Sequence, residues 1–211
     1  MEILPIFLPI LVAYLLGSIP TAVWVGKTFY HVDVRNEGSG NAGATNTIRV
    51  LGVKAGIPVI IVDVFKGYAA VAIAPWIVQL AGGTEASPVL LLFVSAAVVL
   101  GHTFPLYAGF RGGKGVATLL GVGIGLFPAA AGIAVLVFAA IFIISGYVSL
   151  SSITAGVGFP VTVFLFFPPP HVSYYYLAVA VAVFIPLTHR KNIKRLWNGT
   201  ESKISFKKKK V

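Results

Sequence analysis

The feature that most constrains the fold of this chain is a long stretch that carries no formal charge. Residues 116–188 contain no Asp, Glu, Lys or Arg. Of all 211 residues, 10% are charged and 57% are hydrophobic, whereas a soluble domain carries about 25% charged residues. Because lipid offers the backbone no hydrogen-bonding partner, apolar segments of this length predict helices that cross a membrane. The expected fold is an all-α polytopic membrane helix bundle, formed by a single domain over residues 1–211.

Apolar segments and helix-breaking residues predict where the spans lie. A span needs about 20 residues, and three are expected before residue 116, at residues 3–26, 55–78 and 87–101 with its flanks. Prolines are expected to bend the first of them, at Pro5, Pro9 and Pro20. In the uncharged stretch the predicted breaks are Pro128, the Ser145-Gly146 pair and Pro168 to Pro170. Small residues such as Gly121 and Gly125 are expected to let helices pack closely.

The basic residues predict the orientation of the bundle. Fifteen of the sixteen Lys and Arg residues lie in three polar segments, residues 27–54, 111–114 and 190–211, and the exception is Lys66. Because Lys and Arg collect on the cytoplasmic side, these segments and the C-terminus are predicted to be cytoplasmic and the N-terminus outside. An even number of helices must then separate the second and third segments. Four fill that stretch better than two, so about seven spans are expected, with five as the alternative.

The first polar segment has the composition of an anion-binding loop. It reads Gly-Ser-Gly-Asn-Ala-Gly-Ala-Thr-Asn-Thr-Ile-Arg over residues 38–49. Small residues let the backbone approach a ligand, and free N–H groups in such turns can form an anion nest. Ser39, Asn41, Thr45 and Asn46 add neutral donors, and Arg49 adds a forked cation suited to phosphate. The alternative, a flexible loop, does not account for the arginine at its end.

The second polar segment places Lys114 in a glycine turn, residues 112–115, directly before a predicted helix. A glycine turn at a helix N-terminus is suited to hold phosphate, and a helix cap with a positive-inside lysine is the alternative. It is not a nucleotide P-loop, because Gly115 stands where that motif requires Ser or Thr. The nearby His102 is either a buried, hydrogen-bonded histidine or a catalytic one.

The third polar segment follows the last predicted span. Its basic residues suit contact with anionic lipid, and the terminal run Lys207 to Lys210 is given no site role. His189 and Asn192 lie three positions apart, so on a helix both can point into one pocket. Asp63 and Lys66 have the same spacing within a span. They predict a structural ion pair that faces the bundle interior, or else a support for the site.

Together the polar segments predict one cationic, phosphate-binding site at the membrane surface. The chain has no Cys and no Glu/His cluster with metal-ligand spacing, so no metal and no cofactor are expected. The predicted chemistry is group transfer between phosphorylated substrates, one of them lipid-like, without a nucleic-acid partner. The alternative is a transporter of a phosphorylated small molecule, which would place polar groups near the bilayer midplane.

These motifs, in this order, resemble those of the bacterial acyl-phosphate-dependent glycerol-3-phosphate acyltransferases. The three are Gly-Ser-Gly-Asn-x-Gly-Ala-Thr-Asn-x-x-Arg, Gly-His-x-Phe-Pro with Gly-Gly-Lys-Gly-Val-Ala-Thr, and His-Arg-x-Asn-Ile-x-Arg-Leu with Gly-x-Glu. The resemblance implies a seven-helix, multi-pass enzyme of the bacterial inner membrane, with its active site on the cytoplasmic side. It would transfer a fatty acyl group from acyl phosphate to the 1-hydroxyl of sn-glycerol 3-phosphate. The products would be lysophosphatidic acid and phosphate, in the first acylation of bacterial phospholipid synthesis.

The resemblance also implies roles for individual residues. The glycerol phosphate would be held by Ser39, Arg49, Lys114, His189 and Asn192. The acyl phosphate would be cradled by Asn41, Thr45, Gly112, Gly113, Lys114, Gly115 and Ser149. Of these, His189, Lys114 and Arg49 are the candidate catalytic residues. The acyl tail would lie in a groove between helices that opens to lipid, and the protein is expected to act as a monomer.

The expected mechanism is direct attack of the hydroxyl on the mixed anhydride, which is already activated and needs no covalent enzyme intermediate. The proton acceptor is either His189 or a substrate phosphate, whose second pKa of about 6 makes it a competent base. The shortage of poised carboxylates favours the substrate. Acyltransferases that use thioester donors commonly carry His-x-x-x-x-Asp, and no histidine here has Asp five positions on. That difference favours a donor other than a thioester.

Overall fold

Helices form all the regular structure in residues 3–204, the part of the chain that the computed structural model describes. The α-helices are α1 Leu4–Gly17, α2 Thr21–Tyr30, α3 Ala44–Leu51, α4 Val53–Leu80, α5 Pro88–Thr103, α6 Val116–Leu126, α7 Pro128–Ser145, α8 Val148–Phe166, α9 Val172–Thr188 and α10 Arg190–Trp197. A 3-10 turn at Leu106–Ala108 lies between α5 and α6. The lysine run Lys207 to Lys210 lies outside the described residues.

Several of these helices are long and apolar enough to cross a bilayer. Within residues 3–204 there are five, Leu4–Tyr30, Val53–Leu80, Pro88–Ala108, Pro128–Ser145 and Val148–Phe166. A sixth arises if α9 and α10, which meet at a bend of 61°, count as one span. Helix α6 is apolar but has 11 residues. The chain is therefore an all-helical, multi-pass membrane protein.

The predicted interruptions of the uncharged stretch are confirmed. Helix α7 begins at Pro128, α7 and α8 are separated at residues 146–147, and α8 and α9 are separated at residues 167–171. Four helices therefore lie between the second and third polar segments, as expected. In the first span the interruption falls at residues 18–20. Of the three prolines expected to bend that span, Pro20 marks the interruption, whereas Pro5 and Pro9 lie within α1, where the helix continues.

Helices α4 and α6 approach each other backbone to backbone. A β-carbon added to Gly67 of α4 would collide with the carbonyl of Thr118, and one added to Gly121 of α6 would collide with the carbonyl of Val64. Membrane helices gain little from hydrophobic burial against lipid, so close van der Waals contact between small residues holds them together. The packing role predicted for Gly121 is confirmed.

Helix α7 is the least buried of the five long spans in the described part of the chain. In α7 11% of the residues are buried, against 39% of an 18-residue window in both α4 and α8. Helix α7 packs mainly on α8, and α8 in turn packs on α9. A cavity lies between these three helices and helices α3, α4 and α6, and residues of the three polar segments line part of it. Helix α7 thus forms part of one wall of that cavity.

Candidate active site

The three polar segments meet at a cavity with a volume of about 610 Å³. Of the predicted site residues, those that line it are Ser39, Asn41, Thr45, Arg49, Lys114, Gly115, Ser149, His189 and Asn192. Among the described residues, Gly112 and Gly113 are the two predicted site residues that do not line this cavity. The predicted convergence of three distant segments is therefore confirmed, because all three line one cavity.

The loop before α3 is held in shape by the buried amide of Asn46. Its Oδ1 accepts from the backbone N–H of Ser39 at 2.8 Å and from the Ser39 hydroxyl at 3.1 Å. Its Nδ2 donates to the carbonyls of Val34 at 2.7 Å and Glu37 at 3.1 Å. Asn46 therefore fixes the position of Ser39 and organises the loop. Arg49 lies near the end of the same helix, with an exposed side chain that faces the cavity.

Arg35 ties the first polar segment to the second. Its guanidinium donates to both carboxylate oxygens of Asp33, at 2.9 Å and 2.7 Å, and to the carbonyl of Ala108 at 2.7 Å. The hydrogen bonds from Arg35 hold the pKa of Asp33 well below its ordinary value. Lys27 adds a second ion pair to this carboxylate at 3.4 Å. The two loops are thus fixed to each other beside the cavity.

In the glycine turn, the backbone N–H groups of Gly112 and Gly113 do not point into the cavity as free donors. The N–H of Gly112 donates to the carbonyl of Thr103, and the N–H of Gly113 donates to that of His102, both at 3.1 Å. These two amides therefore already have backbone partners, and the predicted role of Gly112 and Gly113 in cradling a phosphate stays a prediction. Gly115, at φ +78°, turns the chain into α6. The first N–H groups of that helix have no intrahelical partner, so these are the amides of the turn that are free to meet a ligand.

Asn192 and Glu201 connect the third polar segment to the rest of the site. Lys114 donates through Nζ to Asn192 Oδ1, and Asn192 Nδ2 donates to Glu201 Oε1 at 2.6 Å. Ser149, at the start of α8, donates to the same oxygen at 2.8 Å. Arg195 donates to Glu201 Oε2 at 2.6 Å. Glu201 thus binds together α8, α10 and, through Asn192, the lysine of the glycine turn.

Burial and neighbouring charges set the protonation of these groups. Burial lowers the pKa of Lys114 to about 8, with Arg195 and Arg49 acting in the same direction and Glu201 opposing them. Burial and the charge of Lys114 lower the pKa of His189 to about 4, so its ring is neutral at pH 7. Burial alone would raise the pKa of Glu201, but the hydrogen bonds it accepts from Arg195, Asn192 and Ser149 lower it. At neutral pH the site holds a lysine near its titration point, a neutral imidazole and a carboxylate.

The tautomer of His189 follows from its hydrogen bond. Nδ1 lies 2.8 Å from the carbonyl of Ile185, which can only accept, so Nδ1 carries the proton. In the neutral ring Nε2 is then an acceptor. Such an atom suits a substrate hydroxyl better than a phosphate oxygen, which is itself an acceptor.

A buried polar cluster lies behind the glycine turn. Asp63 and Lys66 form the predicted ion pair, with Oδ1 and Nζ 2.8 Å apart and side chains 3% exposed. Lys66 also donates to the carbonyl of Ile19 at 3.0 Å, and Thr21 donates to Asp63 at 3.2 Å. The prediction of an ion pair that faces the bundle interior is confirmed. His102 is buried beside it, with Nδ1 3.6 Å from Asp63 Oδ1.

The cavity continues from the polar end into an apolar part between the helices. Lining it are side chains of α6, α7, α8 and α9, among them Leu119, Val135, Phe138, Ala155, Phe159 and Leu177. Phe127 and Phe159 meet edge to face with their centroids 5.5 Å apart. Ser149 and Phe159 are ten positions apart on α8, which separates them by about 15 Å at 1.5 Å per residue. The aromatic pair is therefore at the far end from the polar groups.

Sequence reasoning gives Glu201 no site role, although the structure places it at the centre of the site. The signal that points to it is a carboxylate nine positions after Asn192, in a segment otherwise rich in cations. Its three hydrogen bonds make it an organising group more than a proton acceptor. Among the described residues, no group of three or more His, Cys, Asp or Glu side chains is suited to hold a metal ion. The arrangement can bind phosphate, position a hydroxyl and enclose an alkyl chain.

A helical membrane protein with a cationic site at one end of an apolar cavity can hold a phosphate head and a long chain together. The fold and the site thereby place this protein among the integral membrane enzymes that act on lipids. The family model described as glycerol-3-phosphate acyltransferase matches residues 7–199. The chain belongs to the glycerol-3-phosphate acyltransferase family, and it is an acyltransferase that acts on glycerol 3-phosphate.

Individual relatives agree with this assignment. A glycerol-3-phosphate acyltransferase of Streptococcus equi subsp. equi is 42% identical over 212 residues, covering 95% of this chain and 93% of that protein. One of Enterococcus faecalis is 43% identical over 204 residues, covering 93% of this chain and 91% of that protein. The crystal structure of PlsY (YgiH), an integral membrane glycerol 3-phosphate acyltransferase, in its glycerol 3-phosphate form superimposes with a TM-score of 0.83 at 40% identity. That match covers 95% of this chain and 96% of PlsY.

Proposed function

We propose that this protein transfers a fatty acyl group from acyl phosphate to the 1-hydroxyl of sn-glycerol 3-phosphate. The products are 1-acylglycerol 3-phosphate (lysophosphatidic acid) and inorganic phosphate. The observation that carries the proposal is the continuity of the cavity, whose cationic end opens directly into its apolar part. An acyl phosphate needs both environments side by side, whereas glycerol 3-phosphate needs the cationic end alone.

The acceptor, glycerol 3-phosphate, occupies the cationic end in this proposal. Arg49 and Lys114 bind its phosphate, and the second N–H of the Asn192 amide adds a hydrogen-bond donor. Ser39 donates its hydroxyl proton to Asn46, so its oxygen serves as an acceptor for the substrate. His189 accepts from a glycerol hydroxyl through Nε2, in keeping with its neutral tautomer. Structures of the related PlsY in a glycerol 3-phosphate form and in a lysophosphatidic acid form support this choice of acceptor and product.

The donor places its phosphate against the N-terminus of α6, where the backbone N–H groups after Gly115 are free to bind it. Asn41 and Thr45 face the same space from the first polar segment. Ser149 donates its hydroxyl proton to Glu201, so its contribution is to hold that carboxylate in place. The alkyl chain extends between α6, α7, α8 and α9 toward Phe127 and Phe159. The missing His-x-x-x-x-Asp motif supports an acyl phosphate over a thioester donor.

Catalysis in this proposal rests on positioning and electrostatic stabilisation. The 1-hydroxyl oxygen attacks the acyl carbonyl carbon, the bond from that carbon to the phosphate oxygen breaks, and phosphate leaves. Lys114 and the α6 N-terminus stabilise the charge that develops on the departing phosphate. With a pKa of about 4, His189 is a weak base, whereas a substrate phosphate with a second pKa of about 6 accepts the proton more readily. The substrate phosphate is therefore the proposed base.

The proposed topology has seven spans, with the N-terminus outside and the C-terminus in the cytoplasm of a bacterial cell. It counts the five long segments, the short apolar α6, and α9, which together make seven. The distribution of Lys and Arg supports an active site on the cytoplasmic side of the inner membrane. All the proposed site residues come from one chain, which supports a functional monomer.

The experiment that tests the proposal is product formation by the purified protein in lipid. Glycerol 3-phosphate is mixed separately with palmitoyl phosphate, palmitoyl-CoA or acyl-carrier protein, and lysophosphatidic acid and released phosphate are measured. We expect product from palmitoyl phosphate, and loss of that product in Lys114→Ala. Product from the thioesters alone would overturn the donor assignment. Uptake of labelled glycerol 3-phosphate into liposomes without any donor, and no product from any donor, would favour a transporter instead.

A further inference from the structure

We infer that His102, backed by Asp63, is a positioning residue that sets the place of the glycine turn, residues 112–115, and so of the donor phosphate. The inference rests on the proposed donor site at the start of α6. His102 comes from the end of α5, ten positions before the turn, and Asp63 from the middle of α4. Both residues also line the cavity, but neither binds phosphate directly in the proposed function.

The turn is built directly on His102. Its backbone carbonyl accepts from the N–H of Gly113 at 3.1 Å. Its ring lies against the same glycine, because a β-carbon added to Gly113 would collide with His102 Nε2. A β-carbon added to Gly112 would collide with the His102 carbonyl. Both glycines thus pack against one residue, so a shift of the His102 ring or backbone must move the turn.

The ring of His102 is in turn held from the opposite side. Its Nδ1 lies 3.6 Å from Asp63 Oδ1, a distance at which a charge attracts the N–H dipole without a direct hydrogen bond. Asp63 is 2% exposed and is fixed by Lys66 at 2.8 Å and by Thr21 at 3.2 Å. The cluster therefore joins α2, α4 and α5 at one buried point, directly behind the turn.

Burying charges is costly, so a buried charged cluster indicates a role other than stabilising the fold. Removing two charges from water costs several kcal/mol per ion, and a buried ion pair is often no more stable than apolar residues of similar volume. A rigid, hydrogen-bonded cluster does, however, define one arrangement of its neighbours. Here the neighbour is the turn that leads into α6. The cluster therefore fixes the distance between the α6 N-terminus and the rest of the site.

The test compares kinetic constants for the two substrates. In His102→Gln and His102→Ala we expect the KM for palmitoyl phosphate to rise by about tenfold to a hundredfold, as misplacement of a binding group by about 1 Å would produce. The KM for glycerol 3-phosphate should change less. Of its two cations, Arg49 lies on α3, which Asn46 anchors, and the Lys114 ammonium is also held by Asn192. The matched control is His171→Gln, since His171 is an exposed histidine that caps α9 far from the turn. Its two KM values should equal those of the wild type.

A size-compensating pair separates positioning from general damage. Gly113→Ala should raise the donor KM because its methyl group meets the imidazole ring. In the double variant Gly113→Ala with His102→Ala that collision is gone, so the donor KM should fall below that of Gly113→Ala. A donor KM unchanged in both His102 variants, or a double variant no better than Gly113→Ala, would overturn the inference. Wild-type protein without product from palmitoyl phosphate would instead overturn the proposed function, so the two failures are distinguishable.

Discussion

Asn192 donates through Nδ2 to Glu201 Oε1 at 2.6 Å, and this bond orients the amide that receives Lys114. Because the amide has one donor end and one acceptor end, fixing Nδ2 on Glu201 directs Oδ1 at the lysine. A carboxylate with no contact to Lys114 thereby determines where that cation lies. The Lys114 ammonium is a flexible point charge on a long stem, so a fixed acceptor is what gives it a defined position.

Replacement of this amide should therefore damage both stability and acceptor binding. In Asn192→Leu, Lys114 loses its acceptor, whereas Glu201 keeps Ser149 and Arg195 as donors. A polar group left without its partner costs about 1–3 kcal/mol. We expect a lower free energy of unfolding, measured in detergent, and a higher KM for glycerol 3-phosphate. Asn198→Leu is the matched control, because Asn198 is exposed at the end of α10. Equal behaviour of the two variants would contradict the role of Asn192.

The charge on Lys114 predicts an alkaline limit to activity. Its pKa of about 8, lowered by burial, means that the free enzyme loses this cation as the pH rises through 8. The kcat/KM for palmitoyl phosphate should therefore fall above about pH 8, since this constant reports groups of the free enzyme. Lys114→Arg, whose guanidinium stays protonated, should be slower but should lack this alkaline limb.

The stability of the protein should change in the opposite direction over the same range. The folded-state pKa of Lys114 lies below its ordinary value of 10.5, so between about 8 and 10.5 the unfolded chain binds more protons than the folded one. The contribution of Lys114 to the free energy of unfolding therefore rises with pH while activity falls. Thermal unfolding measured alongside the kinetics separates loss of the cation from denaturation. An alkaline limb that persists in Lys114→Arg would assign it to another group.

His189 should act mainly in binding. With Nδ1 on the Ile185 carbonyl and a pKa of about 4, its ring remains neutral across the working pH range. In His189→Gln we expect a large rise in the KM for glycerol 3-phosphate and a smaller fall in kcat, because the proposed base is a substrate phosphate. Turnover abolished with acceptor binding intact would instead identify His189 as the base. The steady-state constants of the variant decide between these results.

The aromatic pair at the far end of the cavity should limit the length of the acyl chain. Phe159 lines the cavity and meets Phe127 edge to face. In Phe159→Leu the apolar part should extend, so preference measured with lauroyl, palmitoyl, stearoyl and arachidoyl phosphates should shift toward longer chains. Phe164→Leu is the control on the same helix, because Phe164 is 41% exposed and packs on Tyr175 outside the cavity. An identical chain-length profile in both variants would contradict a limiting role for Phe159.

Much of this arrangement follows from local patterns in the sequence. Apolar length and proline positions indicate the spans, because lipid leaves no alternative to helix. The clustering of Lys and Arg indicates that distant segments share one face, and that is why Arg49, Lys114 and Asn192 could be assigned to one site. These residue types indicate their chemistry without a structure, because an arginine or a glycine turn binds phosphate in many different folds.

The contacts that the sequence does not predict are those made between remote side chains. Glu201 gains its importance from Ser149, Asn192 and Arg195, which approach it only after α8 and α10 have packed. Likewise, the amides of Gly112 and Gly113 donate hydrogen bonds to carbonyls at the end of α5, and no local sequence pattern indicates this pairing. The motif is sufficient to locate the turn, whereas its free donors depend on which neighbours the fold supplies.

The uneven packing of the bundle has a mechanical consequence. Helices α4 and α6 are locked through Gly67 and Gly121, whereas α7 has few buried residues and forms one wall of the acyl cavity. Lateral pressure in a bilayer moves the most weakly packed helix first. In this protein that helix is α7, which borders the proposed position of the donor's acyl chain. Changes in the thickness or fluidity of the membrane would therefore act on the width of that cavity. The physical state of the bilayer to which the enzyme adds lipid would therefore influence the enzyme itself.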